Sequence, residues 1–348
     1  MKLQIRDQAL SLARALDSAG VKRGDVVGII LPNCLEYPVL VLGCLYLGVT
    51  ITPINPAYTA FEISRQLTAS RASVVFSHSD HNDKIKQTLN IVKEQVKKVI
   101  VVGGRADDED HILWDDFVSS SSGGVPSPGH IDLKQDVAIL PFSSGTTGVP
   151  KGVALSQSNM VANVISIAGT DPDYMIPASA LRQDTTIAIL PMYHIFGLNV
   201  TMSAGLYFGA KQVIFPSFEP QSYVRALEEH RPTFLHLVPP LVSFLANHPL
   251  VTPQHLQSLR QVNVGAAPSG PSLIEQFYKK AASYTMYKEG WGSTEVSGAG
   301  TGVCRPFNKG IKRGSVSTIL PNFRLQASED ILQNTFSKTN DLDKRCWN

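Results

Sequence analysis

Residues Ser143–Ser156 read SSGTTGVPKGVALS, and the first ten hold four hydroxylated side chains, three glycines and one lysine. Glycines let backbone N–H groups approach phosphate oxygens, hydroxyls add donors, and a lysine adds a cation. The composition therefore suits a phosphate-cradling loop. Against the Walker spacing G-x-x-x-x-G-K-[ST], Gly145 and Lys151 fall in register. Pro150 stands where the second glycine belongs, and Gly152 where the closing hydroxyl belongs. That hydroxyl normally reaches Mg²⁺, so its loss removes the mechanism of a P-loop NTPase and not merely a match. On spacing alone, a phosphate loop and a flexible turn both stay open.

The flanks of this loop decide the fold class. Apolar positions Ala9, Leu12, Ala13 and Leu16 recur at helical spacing within 8–19, with Gly20 as a C-terminal stop. DVVGIILP then reads as a buried strand, and 35–47 as a buried helix. A strand at Val74–Phe76, a helix over 83–96 and a strand at KVIVVGG follow. Serine-, glycine- and proline-rich residues 119–129 read as a linker, since no G-x-S-x-G elbow accompanies them. Beyond it come a strand at DVAILPFS, the glycine loop, and a helix from about Gln157. Strand signals recur at TTIAILPMYHIF, AKQVIFP and TFLHLVPP, with a helix over 221–230. Strands alternating with helices predict α/β layers around a largely parallel sheet.

Composition narrows the function. The 348 residues are 43% hydrophobic and 17% charged, which is the balance of a globular chain. A net charge of +2, without a basic arm, gives no footprint for nucleic acid. Cys34, Cys44, Cys304 and Cys346 follow no zinc or disulfide spacing, which favours a reducing compartment. The longest apolar run, Val39–Val49, is too short for a bilayer, and the N-terminus lacks a signal-peptide pattern. No transmembrane segment is expected, and the cytoplasm is the default location.

Taken whole, SSGTTGVPKG resembles the signature loop of the adenylate-forming (AMP-binding) superfamily. That group holds acyl-CoA synthetases, 4-coumarate–CoA ligases, beetle luciferases and peptide-synthetase adenylation domains. Other segments carry the same resemblance in the right order. They are LPNCLEYPVL (31–40), ITPINPAYT (51–59), LPMYHIFGL (190–198), NVGAAPSG (263–270), EGWGSTE (289–295) and GSVSTILPNF (314–323). The resemblance covers residues 8 to about 325 and points to the 4-coumarate–CoA ligase-like branch. It implies the layered αβαβα large N-terminal domain of acyl-adenylate-forming enzymes over 1–325, with a subdomain boundary near 119–135. Residues 326–348 are expected to be a divergent tail.

The family reaction joins a carboxylic acid to ATP, giving acyl-AMP and pyrophosphate, and then passes the acyl group to coenzyme A. The first step drives an anion against the α-phosphate. The site must therefore supply positive charge and donors and needs no nucleophile of its own. By resemblance, Ser143, Ser144, Gly145, Thr146, Thr147, Gly148 and Lys151 form the phosphate loop. Thr294 would contact the α-phosphate, and Glu295 would help hold Mg²⁺. Gly265, Ala266, Ala267, Trp291 and Gly292 would border the adenine. His194 would face the acyl carboxylate, with Phe196 and Gly197 as its neighbours in the acid pocket. Lys151, His194, Thr294 and Glu295 are thus the expected catalytic set, and ATP, Mg²⁺ and coenzyme A the expected cofactors and co-substrates. Aromatic and fatty acids both remain open as substrates, so fatty acid and phenylpropanoid metabolism do too.

Two departures stand out. Glu289 occupies a position where ligases often carry glutamine, which puts a charge near the acyl site. Family members also continue into a T-G-D segment and a small lysine-bearing C-terminal domain, neither of which matches this chain. The expectation is a truncated isoform or an incomplete gene model. Such a chain would bind nucleotide or acid with impaired turnover, or pair with a full-length relative whose location can be peroxisomal.

Overall fold

Short β-rich runs divided by amphipathic stretches leave the chain few ways to bury both, and it stacks helices on parallel strands. The computed structural model describes residues 2–104, 111–121, 123–143, 150–170, 174–302 and 315–324. The first part holds β1 (Val26–Ile30), β2 (Thr50–Pro53), β3 (Val74–His78), β4 (Lys98–Val102), β5 (His111–Leu113) and β6 (Val137–Ile139). A short hairpin follows, β7 (Phe142–Ser143) with β8 (Lys151–Gly152), and then β9 (Leu155–Ser156). One seven-stranded sheet runs β5-β4-β3-β1-β2-β6-β9. It is parallel except at β6–β9, and strands from both sides of residues 119–135 share it.

Helix Lys2–Ser18 ends as expected: Gly20 takes φ 84°, and the Val21 N–H donates to the Leu16 carbonyl at 3.0 Å. Helix Glu36–Tyr46 packs on it, closely enough that a Cβ at Gly43 would stand 2.9 Å from the Ala9 carbonyl. Leu12, Leu16, Leu40 and Cys44 fill that contact. The helix expected over 83–96 is shorter. It stops at Val92, Lys93 adopts φ 46°, and a 3₁₀ turn carries the chain to Gln95. The break has a physical cause, because the Gln95 amide donates to the Leu67 and Ala72 carbonyls and a continued helix would carry it away.

The second part is built on β10 (Thr185–Ala188) and β11 (Lys211–Ile214), paired in parallel. Three further parallel strands follow, β12 (Phe234–Leu237), β13 (Gln261–Val264) and β14 (Met286–Glu289). Two antiparallel pairs close the described chain: β15 (Gly292–Ser293) with β16 (Gly298–Ala299), and β17 (Thr301–Gly302) with β18 (Thr318–Ile319). The predicted α/β layering is what forms. No described helix is long and apolar enough to cross a membrane.

Residues 187–202 run along the seam between the two cores. Ala188, Met192, Ile195 and Leu198 pack with the first sheet, while Ile187, Ile189 and Leu190 pack with the second. Asn33, just past β1 and only 4% exposed, fixes that seam. Its amide donates to the Ala188 and Leu190 carbonyls at 3.2 and 3.0 Å and accepts from the Met192 N–H at 2.7 Å. Replacing Asn33 by alanine strands the Leu190 carbonyl and the Met192 N–H, each costing about 1–3 kcal/mol when unpaired, while the Ala188 carbonyl keeps the Phe215 N–H. The expected loss is about 2 kcal/mol or more, read as a lower urea midpoint with an unchanged slope.

Candidate active site

A cavity of about 1030 Å³ opens between the two parts, and the sequence motifs converge on it. One end of it begins at the β7–β8 hairpin, where Ser143 pairs with Lys151. Both residues line the cavity. Ser144, Gly145, Thr146, Thr147 and Gly148 lie outside the described residues. The helix after the loop, Gln157–Thr170, carries the buried Asn163, whose amide donates to the Val296 and Ala299 carbonyls at 3.1 and 2.7 Å. Asn199 reinforces the joint by donating to the Ser297 carbonyl at 2.9 Å. Two buried asparagines therefore hold the Thr294–Val296 turn against the loop's own helix.

Thr294 and Glu295 both face the cavity. The Glu295 carboxyl is held below the usual carboxylate range, first by a hydrogen bond from its own backbone and then by the Ser293 and Ser143 hydroxyls. It is a ready anion beside Ser293 and Ser143. No group of three or more His, Cys, Asp or Glu side chains fit to hold a metal occurs among the described residues. This donor set does not suit an all-protein metal cage. It does suit Mg²⁺, which takes one or two carboxylates and leaves its remaining positions to phosphate oxygens and water.

Trp291, half exposed, packs its indole over Gly300, where a Cβ would stand 2.6 Å from the ring. Its backbone N–H donates to the Thr301 hydroxyl at 2.7 Å. Gly292 must be glycine, because a Cβ there would collide with the Gly298 carbonyl across the hairpin. Gly265 and Ala266 line the cavity at the end of β13, and Ala267 lies on the same exposed turn without lining it. A Cβ at Gly265 would come within 2.9 Å of Phe196, so the smallness of this turn makes room for that ring. Ala266 adopts φ 71°, in the left-handed region that a non-glycine residue enters at a cost. Glu289 also borders the cavity, but its carboxylate accepts from the Ser269 N–H at 2.8 Å, which draws the charge toward that turn.

His194 sits in the turn before an eight-residue π-helix, Phe196–Ser203, an arrangement that gathers at functional sites. The Phe196 N–H donates to His194 Nδ1 at 3.2 Å, which leaves Nε2 as the proton-bearing nitrogen of the neutral ring. The surrounding walls lower the pKa of His194 by desolvation, so at neutral pH it offers an N–H donor and not a positive charge. Gly197 is forced, since a Cβ there would overlap the Pro191 carbonyl.

Three lining residues were not singled out by the motifs. His236, Asn263 and Lys288 stand in register across β12, β13 and β14 and all face the cavity. Tyr174, from the segment after Gln157–Thr170, meets His236 with its hydroxyl 2.6 Å from Nε2. His236 is 1% exposed, and burial pushes its pKa down to about 3. A signal was present for His236, which interrupts the otherwise apolar FLHL strand, but not for Asn263 and Lys288, whose strands carry other polar residues.

A family model described as AMP-binding enzyme matches residues 3–330. The probable 4-coumarate–CoA ligase 1 of Dictyostelium discoideum is 32% identical over 330 residues, covering 91% of this chain and 58% of that protein. The 4-coumarate–CoA ligase CCL1 of Humulus lupulus is 31% identical over 320 residues, covering 90% and 56%. The chain thus spans well under two thirds of these relatives. Among solved structures, ATP-bound MatB from Rhodopseudomonas palustris is 26% identical with a TM-score of 0.75, covering 91% of this chain and 58% of that one. The long-chain-fatty-acid–CoA ligase FadD1 from Archaeoglobus fulgidus shares the fold at 24% identity, with a TM-score of 0.76 and coverage of 91% and 61%.

Two substitutions check this geometry. Ala266→Gly relieves the left-handed backbone and is expected to stabilise by roughly 1 kcal/mol in chemical denaturation, where a neutral site would show no gain. The second concerns pH. Unfolded, His236 takes up a proton near pH 6.5, while folded it stays neutral down to about 3. Its contribution is therefore intact above about 6.5 and is lost, at about 1.4 kcal/mol per pH unit, as pH falls toward 3. His236→Gln is expected to flatten the acid limb of stability against pH by one proton's worth.

Proposed function

Because this chain belongs to the AMP-binding enzyme family, we propose that it is the nucleotide- and acid-holding part of an ATP-dependent acid–thiol ligase. In this reading it activates a carboxylic acid as acyl-AMP, releasing pyrophosphate, and the acyl group then passes to coenzyme A. The observation that supports the reading is that Ser143 and Lys151, from the β7–β8 hairpin, line the same cavity as Ser293, Thr294 and Glu295, far away in sequence.

The chemistry follows from what each group can offer. A carboxylate attacking the α-phosphate must overcome like-charge repulsion, so catalysis reduces to positioning and charge compensation. Lys151, paired with Ser143, supplies a point charge at the β- and γ-phosphates. Thr294 donates to the α-phosphate. Glu295, already ionised, would hold Mg²⁺ together with the phosphate oxygens. When bound, that ion would neutralise charge developing on the bridging and leaving oxygens. His194 turns its Nε2–H toward the acid carboxylate and orients it without first having to lose a proton. Gly265, Ala266, Trp291 and Gly292 give the adenine a slot, with the indole as its stacking face, and Ala267 borders it on the same turn. The names of the relatives support a ligase of the 4-coumarate–CoA type.

Acid-dependent exchange of labelled pyrophosphate into ATP tests the proposal. Purified chain, Mg²⁺ and a panel of aromatic and fatty acids are expected to give exchange. Lys151→Ala and Glu295→Gln should each lower it about 100-fold, the scale of losing one charge-stabilising group. Both side chains are exposed or nearly so, and the variants should melt with the parent. ATP binding without exchange by any acid would overturn the proposal and mark a chain that holds nucleotide without turning it over.

A further inference from the structure

Thr294 and Glu295 stand at the tip of a hairpin too short to hold its own shape. β15 and β16 pair Gly292 with Ala299 and Ser293 with Gly298, and the Thr294–Val296 3₁₀ turn joins them. The Ser297 N–H closes the turn on the Thr294 carbonyl at 3.0 Å, with Ser297 at φ 63° and Gly298 at φ 130° making the reversal. A two-stranded hairpin left to itself is marginal in water. Its rigidity has to come from outside.

Two buried asparagines supply it. Asn163 donates to the Val296 and Ala299 carbonyls at 3.1 and 2.7 Å and accepts from the Ala299 N–H at 3.4 Å. Asn199 donates to the Ser297 carbonyl at 2.9 Å and to the Met160 carbonyl at 3.2 Å, which binds the same return strand to the helix that carries Asn163. The approach is close: a Cβ at Gly298 would stand 2.8 Å from Val200 and 3.0 Å from Asn163 Oδ1.

That helix is in turn locked to the Lys151 hairpin. The Val153 N–H donates to the Pro141 carbonyl at 2.8 Å, and Leu155 pairs with Ile139. The Ser156 N–H donates to Asn159 Oδ1 at 3.0 Å, and the Asn159 N–H donates to the Ser156 hydroxyl at 3.2 Å, which fixes the first turn of the helix. A run of bonded backbone thus leads from Lys151 to Asn163, and one side-chain amide carries it across to the tip with Glu295. Asn163 stands behind the cavity wall and does not line it.

We propose that Asn163 is a positioning residue: it sets Glu295 relative to Lys151, and so governs how far Mg²⁺ strengthens ATP binding. The inference rests on the reading of this cavity as a nucleotide site and extends it to a side chain that touches neither nucleotide nor metal. A carboxylate shares an ion with phosphate oxygens only when its distance from them is held. Side chains that stand behind a ligating group change metal affinity by about 10–100-fold when removed. Without the Asn163 amide, the Val296 and Ala299 carbonyls lose this donor and the tip is free to shift.

Calorimetric titration of ATP into the purified chain, once with saturating Mg²⁺ and once with EDTA, measures that strengthening without requiring turnover. The parent is expected to bind ATP more tightly with Mg²⁺. Asn163→Ala should lower the gain about tenfold, or to nothing where the gain itself is smaller. Adenosine, which needs neither Glu295 nor Lys151, should bind parent and variant alike. Glu295→Gln should remove the same gain, and adding Asn163→Ala to it should change nothing further, as for two residues acting in series. Where Asn163→Ala fails to melt cooperatively, Asn163→Ser keeps one donor and should show a smaller loss of the same gain. An undiminished gain in a folded Asn163 variant overturns the inference. So does an equal loss of adenosine binding, or a further loss on top of Glu295→Gln, since either marks general damage to the cavity. A parent that gains nothing from Mg²⁺ overturns it as well. Pyrophosphate exchange separates the two readings. A gain lost through Asn163 without exchange by any acid leaves this inference and removes the ligase reading, while exchange with an undiminished gain in the variant does the reverse.

Discussion

One buried amide holds the two halves of this molecule in register. Asn33 lies where β1 runs out, and it bonds three backbone groups of residues 188–192, two of which have no partner in a strand or helix. The segment it grips then passes through His194 into the π-helix, with side chains entering both cores. The position of the imidazole is thus fixed by a contact made on the other side of the seam. A hydrophobic contact could not do this, because apolar packing is not directional, whereas three hydrogen bonds from one planar group fix distance and orientation together.

The same device recurs around the cavity. Asn163 and Asn199 join the helices to the turn that carries Glu295. Asp184, 2% exposed, accepts from the Ile176 N–H, the Thr233 hydroxyl and the Arg260 guanidinium, and so pins the segment that delivers Tyr174. A charge this deep is tolerable only because it is paired and fully hydrogen-bonded. The turn that carries Glu295 and the segment that carries Tyr174 are both held by polar side chains reaching into another element's backbone. The cavity keeps its shape before any ligand arrives, as electrostatic preorganisation requires.

Much of this is legible in the sequence. Alternating apolar strands and amphipathic helices announce the layers, and the loop, the aromatic segment and G-S-T-E single out residues that line one cavity. What is not legible is what depends on tertiary partners. Nothing local says that Lys93 breaks a helix so that Gln95 can reach two carbonyls. Nothing local says that Asn33 bridges residues more than 150 positions away. His236 is an intermediate case. Its strand reads as apolar, so a lone histidine passes for a core residue until β13 and β14 are laid beside it and the polar row appears.

That row has a consequence for how such a protein can change. Along β12–β14 the residues one step before it, Leu235, Val262 and Tyr287, turn to the opposite face, where all three belong to the core. A one-residue insertion in any of these strands would exchange the faces, driving a histidine, an asparagine or a lysine into that core. Inheritance at this pocket is therefore confined to letter changes at constant length. A lineage can swap one lining side chain for another, but it cannot re-space the strands without losing the fold that presents them.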